Sequence, residues 1–238
     1  MEQIKEEMQD YWTKRAEKFA ALRIRELASD KRELWLREFH RYLPGDRKLR
    51  ILDVGTGSGF FSFLLAAEGH EMVGIDLTEE MIHEAKRTAE LLELEAEFYV
   101  MDAENPTFEK YSFDAIVSRN LTWALPNLGL AYQRWHSLLK PDGILINFDA
   151  DYCREKKAQK LPENHAHRDV SPELSAAYEH MKEELLAYQQ VRPGWDQQLL
   201  LQAGFQKIQI DMEVSKRLYS TVDEFFNPTP LFCLCAQA

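Results

Sequence analysis

Between Leu49 and Phe148 short apolar segments alternate with helical ones at intervals of a few residues, and this alternation constrains the fold more than any other feature of the chain. Strands are expected at 51–54, 71–76, 98–101, 113–118 and 144–148. Helices are expected at 60–68, at 78–93 and around 128–139. Gly69 is a natural helix stop, and Lys140-Pro-Asp-Gly143 closes the third helix. Thr78 is placed to cap the second, with Glu79 and Glu80 in its positive first turn. Such an alternation requires parallel strands joined by right-handed crossovers, that is, an α/β doubly wound sheet.

The flanks read differently. Trp12, Ala16 and Phe19 follow i, i+4, i+7 spacing, and Trp35, Phe39, Tyr42 and Leu43 repeat it before Pro44-Gly45-Asp46 breaks the pattern. Two helices are therefore expected before the core, as an amphipathic cover or as a lid over a ligand. Residues 150–194 are polar, hold three prolines and a helical stretch at 173–190, and are too long for a simple connection. A helix at 195–203 ends at Gly204. Strands at 207–214 and 230–236, with no periodic helix between them, fit a closing antiparallel hairpin. The expected organisation is one domain: an N-terminal helical lid (1–48), a core (49–149), an inserted cap (150–194) and a C-terminal helix with a strand pair (195–238). The 238 residues suffice for a buried core. No apolar run spans a bilayer or forms a signal-peptide core. Three cysteines give no disulfide framework, so a reducing cytoplasm is the expected location, with Cys233 and Cys235 buried as small apolar groups.

The first strand runs into Asp53-Val-Gly55-Thr-Gly57-Ser-Gly59. Glycines there let the backbone turn sharply and let a ligand lie against bare main chain. Asp76 ends the next strand, where a carboxylate can accept two ribose hydroxyls. Asp102 follows the third strand on the same edge. Each acid also has a purely structural use: Asp53 can hold the glycine loop, Asp76 can cap the following helix, and Asp102 can cap the segment at 104–106. A dinucleotide fingerprint needs a third glycine where Phe60 stands, and no Gly-x-x-x-x-Gly-Lys occurs. No Lys or Arg lies between Arg50 and Lys86 to neutralise a pyrophosphate. An acid-rich crevice suits a cationic or uncharged adenosyl ligand.

These pieces, with Gly74-Ile-Asp76, Met101-Asp-Ala103, Phe113-Asp-Ala-Ile-Val-Ser118 and Leu138-Leu-Lys-Pro-Asp-Gly143 in that order, resemble the core of the class I S-adenosylmethionine-dependent methyltransferases. The trailing strand pair resembles that family's reversed last strand. The resemblance implies a Rossmann-like seven-stranded sheet and S-adenosylmethionine as cofactor, with S-adenosylhomocysteine as product. It implies cofactor contacts from Gly55, Thr56, Gly57 and Gly59, from Asp53 to the amino group, and from Asp76 to the ribose. Leu77 would pack on the adenine, Asp102 and Ala103 would meet its edge, and Ser118 and Asn120 would border the methionyl end; Met81, and Tyr11 at a lid position common in the family, are further expected cofactor contacts.

The acceptor side is less defined. Arg119 and Trp123 follow strand four and can clamp a carboxylate and stack on a planar group, though Trp123 also suits plain loop packing. Asp149 and Tyr152, with Asp151, leave strand five at the same edge as candidate bases. Arg119, Asp149 and Tyr152 are the expected catalytic residues. His165, His167 and Asp169 are read as a polar loop and no metal is expected. The acceptor is expected to be a small molecule, and the protein a monomer or homodimer with no membrane partner. Residues 1–50 hold 13 Lys/Arg against 10 Asp/Glu and the remainder 16 against 30, for a net charge of −11, which disfavours nucleic acid. The alternatives are a tRNA- or protein-modifying methyltransferase docking through the first 50 residues, and a non-catalytic module that binds the cofactor.

Overall fold

The computed structural model of the protein describes residues 2–154 and 170–238. The alternation resolves into β1 (Arg50–Val54), α4 (Phe60–Ala66), β2 (Glu71–Asp76), α5 (Glu79–Leu92), β3 (Glu97–Val100), β4 (Phe113–Arg119), α6 (Leu128–Leu138) and β5 (Leu139–Ala150). These are preceded by α1 (Glu2–Thr13), α2 (Ala16–Leu27) and α3 (Lys31–Phe39). They are followed by α7 (Pro172–Glu184), α8 (Gly194–Ala203), β6 (Gln206–Asp211), α9 (Val214–Leu218) and β7 (Leu231–Gln237). One seven-stranded sheet results, in the order β3-β2-β1-β4-β5-β7-β6. The first five strands in chain order are mutually parallel, and β7 runs antiparallel between β5 and β6. The chain leaves β1 towards β2 on one side and returns as β4 on the other, so the carboxyl ends of β1 and β4 flank the switch point where such sheets bind ligands.

Both faces of the sheet are covered. On one, α3, α4 and α9 pack Trp35, Phe39, Phe61, Phe148 and Leu218 together. Phe39 meets Phe61 edge-on at 4.8 Å, and Trp35 meets Phe148 at 5.1 Å, the tilted geometry that aromatic quadrupoles favour. On the other, α6 and α8 bury Tyr132, Trp135 and Leu200 against Leu145 and Phe232.

Three expectations change. The N-terminal stretch forms three helices rather than two. The chain breaks between Thr13 and Ala16, where the Arg15 amide bonds back to the Trp12 carbonyl at 3.0 Å in a tightened turn. The spacing survived because Trp12 and Phe19 turn to the same side and meet edge-on at 5.3 Å across the break. The fifth strand is longer than 144–148. Phe113 pairs with Leu139 and Ala115 with Ile144, so the Lys140-Pro-Asp-Gly143 turn bulges out of a continuing ladder, with Asp142 at φ 63°. The last two strands are antiparallel neighbours, but a five-residue helix, α9, and a long return separate them.

Of the segment at 150–194, residues 155–169 lie outside the described residues, and His165, His167 and Asp169 with them. The rest contains α7 and one 3-10 turn at Leu186–Gln189, close to the helical reach expected. Among the described residues no helix is long and apolar enough to cross a membrane. No group of three or more His, Cys, Asp or Glu there is placed to hold a metal ion. Cys153 and Cys233 are buried free thiols, and burial raises the pKa of both.

Candidate functional site

A cavity of about 220 Å³ opens at the carboxyl ends of β1, β2 and β4, under α1 and α2. Its nucleotide side is built from the loop after β1. Gly57 sits at φ 53°, a left-handed backbone that glycine adopts without strain, and a side chain added there would meet only the Phe19 ring, at 3.5 Å. Gly59, at φ 90°, starts α4, and a Cβ there would strike the Phe63 ring at 2.6 Å. One glycine thus keeps main chain bare to the cavity, while the other leaves room for the Phe63 ring one turn along the helix that it caps.

Asp53 is 2% exposed, and its Oδ2 accepts from Thr56 Oγ1 at 2.6 Å, Ser62 Oγ at 2.8 Å and the Ser62 amide at 3.1 Å. Burial pushes its pKa up to about 6 against those hydrogen bonds. Asp76 accepts from the Gly57 amide through Oδ2 and the Thr78 amide through Oδ1, both at 2.9 Å. Burial raises its pKa too, opposed by those amides. A carboxylate offers about four lone-pair sites, so two remain for a pair of vicinal hydroxyls. Thr78 occupies the helix cap, but its side chain makes no capping bond; Asp76 takes the Thr78 amide instead. Asp102 has the structural use foreseen for it and an ion pair that was not. Its Oδ1 takes the Glu104 amide at 2.9 Å, and its Oδ2 takes Lys5 from α1 at 2.7 Å. Lys5 also pairs with Glu104 at 2.5 Å, and Gln9 donates to the Leu77 carbonyl at 2.8 Å. So α1 is strapped across this edge.

The opposite side is built on β4. Arg119 reaches Glu26 of α2 at 3.0 and 3.3 Å and the Tyr219 hydroxyl at 3.2 Å, with its guanidinium 4.4 Å from the Trp35 ring and 4.8 Å from Phe60. Arg23 pairs with the same Glu26 and lies 4.5 Å over Phe19. Burial alone would raise the Glu26 pKa, yet the two guanidiniums hold it at about 2. Next to them the Tyr152 hydroxyl donates to Asn120 Oδ1 at 2.9 Å and accepts from Asn227 Nδ2 at 2.5 Å. Burial, with Asp149 nearby, drives the Tyr152 pKa far above that of an ordinary tyrosine.

Of the residues singled out from sequence, Asp53, Gly55, Thr56, Gly57, Asp76, Leu77, Met81, Asp102, Ala103, Arg119, Asn120 and Tyr152 line this cavity. Four stand elsewhere. Gly59 faces Phe63. Tyr11 is buried with its ring stacked on Tyr178 at 4.9 Å and its hydroxyl taking Arg15 at 2.7 Å. Ser118 is fully buried within β4, and its Oγ has no partner among the described residues. Asp149 is also enclosed: its Oδ2 accepts from Thr122, the Trp123 amide at 2.9 Å and Arg192 at 3.2 Å. Arg192 in turn binds Asp196 at 2.5 and 2.8 Å. The carboxylate expected as a base therefore anchors a buried ion cluster away from the cavity. Trp123 packs as a buried loop residue, 3% exposed, and still lines the cavity. Lys5, Arg23, Glu26 and Asn227 were not foreseen. The signal for two of them was present, since Arg23 and Glu26 continue the i+4, i+7 face begun by Phe19.

A family model described as a methyltransferase domain matches residues 45–214, which takes in every strand of the sheet except β7. The chain belongs to the class I S-adenosylmethionine-dependent methyltransferases. Among curated relatives, this methyltransferase is 36% identical over 116 residues to phosphoethanolamine N-methyltransferase 3 of Arabidopsis thaliana. It is 34% identical over 96 residues to the ubiquinone biosynthesis O-methyltransferase of Coxiella burnetii. Those alignments cover 48% and 40% of the methyltransferase but only 22% and 41% of the relatives. Its fold is shared with a SAM-dependent methyltransferase from Aquifex aeolicus at a TM-score of 0.58 and 20% identity, covering 89% of one chain and 92% of the other. S-adenosylmethionine is the cofactor of the family, and the glycine loop with its three carboxylates has the donors and acceptors to meet it.

Proposed function

We propose that the protein transfers the methyl group of S-adenosylmethionine to a small-molecule acceptor held in the same cavity. The observation that carries the small-molecule reading is the continuity of that cavity, from Asp76 and Asp102 to Arg119, Tyr152 and Asn227, beneath residues of α1 and α2. A covered pocket of this kind suits a compact acceptor better than a flat macromolecular surface.

In this reading Asp76 takes the ribose hydroxyls, and Leu77 and Met81 flank the adenine. Asp102 and Ala103 meet its edge, while Gly55, Thr56, Gly57, Asp53 and Asn120 surround the methionyl end. When bound, S-adenosylmethionine supplies a methyl group on a sulfonium, a good leaving group. The protein's task is then alignment and exclusion of water, which in well-oriented systems is worth roughly 7–11 kcal/mol of barrier. Residues 1–48 act as the lid and the described part of 150–194 as the cap, and the Tyr11–Tyr178 stack between α1 and α7 ties the two together. Tyr152 keeps its proton at neutral pH and so positions the acceptor through that hydroxyl, while Asp149 holds Trp123 and the loop after β4 in place.

The test is calorimetric titration with S-adenosylmethionine, S-adenosylhomocysteine and NAD. Saturable micromolar binding of the first two and none of NAD is expected. Binding of NAD alone overturns the reading.

A further inference from the structure

The charges beyond the glycine loop do not balance. Arg23 and Arg119 both face the cavity, and both share one carboxylate, the fully buried Glu26. The other acids nearby are already spent. Glu224 at the cavity wall is bound by Arg25 at 2.9 Å, and Asp223 is bound by Lys31 at 2.9 Å. Tyr219 accepts from Arg119 but stays neutral, since burial raises its pKa. Among the described residues one positive charge is therefore in excess in a site where unpaired charge is costly. The donors are in excess too. Glu26 takes the only hydrogen bond that Arg23 makes among the described residues. Arg119, with 9% of its side chain exposed, has a buried Nε without a partner. Burial and the neighbouring Arg119 press the Arg23 pKa down, as expected of a cation lacking its full complement of anions. Around the pair the walls are aromatic: Phe19, Phe60, Phe225, Phe226 and Trp123.

We infer that Arg23 and Arg119 together dock a carboxylate of the methyl acceptor, so that the acceptor is a small organic acid with an apolar or aromatic body. The inference rests on the methyltransferase reading of the cavity and adds the acceptor's chemical class. A planar guanidinium pair matches a carboxylate through parallel hydrogen bonds. The single excess charge favours a monoanion over a doubly charged phosphate monoester, which would leave one negative charge buried and unmatched.

The experiment loads the protein with S-adenosylhomocysteine and titrates matched probes: benzoate against benzamide, phenylacetate against phenylacetamide, and phosphoethanolamine. The carboxylates are expected to bind at least tenfold tighter than their amides. Arg23→Gln should erase that preference while leaving S-adenosylhomocysteine affinity within about twofold, and Arg23→Lys should retain part of it. Arg23 is the safer site, because the Arg119–Glu26 pair remains to hold the fold. Equal binding of acid and amide, no binding of either at millimolar concentration, or tighter binding of phosphoethanolamine overturns the inference. So does a loss of S-adenosylhomocysteine affinity in Arg23→Gln with 5′-methylthioadenosine unaffected, because the arginines would then serve the cofactor's own carboxylate. If S-adenosylhomocysteine fails to bind the wild-type protein, the fault lies instead in the functional reading beneath.

Discussion

The two sides of the cavity are made in opposite ways. On the nucleotide side, acids meet backbone amides from their own strand ends: Asp53 holds Ser62, Asp76 holds Gly57 and Thr78, and Asp102 holds Glu104. Each of those amides belongs to the β1–β3 unit itself; the partner from outside it is Lys5 of α1, on Asp102. On the acceptor side, Arg119 of β4 meets Glu26 of α2 across 93 residues, and Tyr152 meets Asn227 across 75. The first side is a local motif that folding of the sheet completes. The second exists only when the N-terminal helices and the segment before β7 have docked. In the proposed reading, local construction holds a common cofactor and assembled construction leaves room for the acceptor to vary.

That contrast breaks most visibly at Glu26. Glu26→Gln leaves two buried guanidiniums without a carboxylate, and the expected loss of stability is about 3–5 kcal/mol by urea unfolding at pH 7. The folded pKa of Glu26 lies at about 2, below its ordinary 4.5, so its contribution is present above pH 4.5 and is lost as pH falls towards 2. The gap between wild type and variant should therefore close over that window. A loss under about 1 kcal/mol at pH 7 would mean that the acceptor side does not depend on this ion cluster.

Asp53 has the opposite sign. Its folded pKa of about 6 exceeds the ordinary 3.8, so it favours folding at low pH, and that stability is lost as pH rises through 6. At about 1.4 kcal/mol per unit the loss is about 3 kcal/mol. Asp53→Asn keeps an oxygen for Ser62 and Thr56 and should remove the pH dependence, making the variant the more stable protein at pH 8. If Asp53 also meets the cofactor's amino group, S-adenosylhomocysteine binding should weaken in the same variant. Unchanged binding would confine Asp53 to holding the loop. Next in size is Asp76→Ala, expected to weaken cofactor binding at least tenfold by calorimetry; unchanged affinity would displace the ribose from β2.

The same division explains what could be read from the chain. The parallel strands and their crossovers followed from the alternation at 49–148, because period and punctuation are local signals, and the seven-stranded sheet with its reversed last strand from the family resemblance. The acids at the ends of β1 and β2 and just past β3 were legible for the same reason. The acceptor side was not. Arg119 and Tyr152 were placed at the right edge of the sheet, but nothing nearby in sequence announces that Glu26 will meet Arg119, or Asn227 will meet Tyr152. Asp149 misled because its position one residue before the end of β5 says nothing of Arg192, 43 residues on, which draws it into a buried cluster. Tyr11 misled for a similar reason, since its stacking partner Tyr178 lies on the inserted segment.

The smallest expected effect lies where the two constructions meet. There Lys5, on a helix from the assembled side, grips acids of the local side, Asp102 and Glu104. Burial works against its charge, but the two carboxylates hold its pKa above the usual lysine value. The pair is partly exposed, so its worth is about 0.2–1 kcal/mol. Lys5→Met should accordingly weaken S-adenosylhomocysteine binding by less than about fivefold. If α1 closes over the cofactor, amide hydrogen exchange across Glu2–Thr13 should slow on ligand binding in the wild type and slow less in the variant. Identical exchange with and without ligand in both proteins would make α1 a fixed cover, and the nucleotide side would then be complete before any ligand arrives.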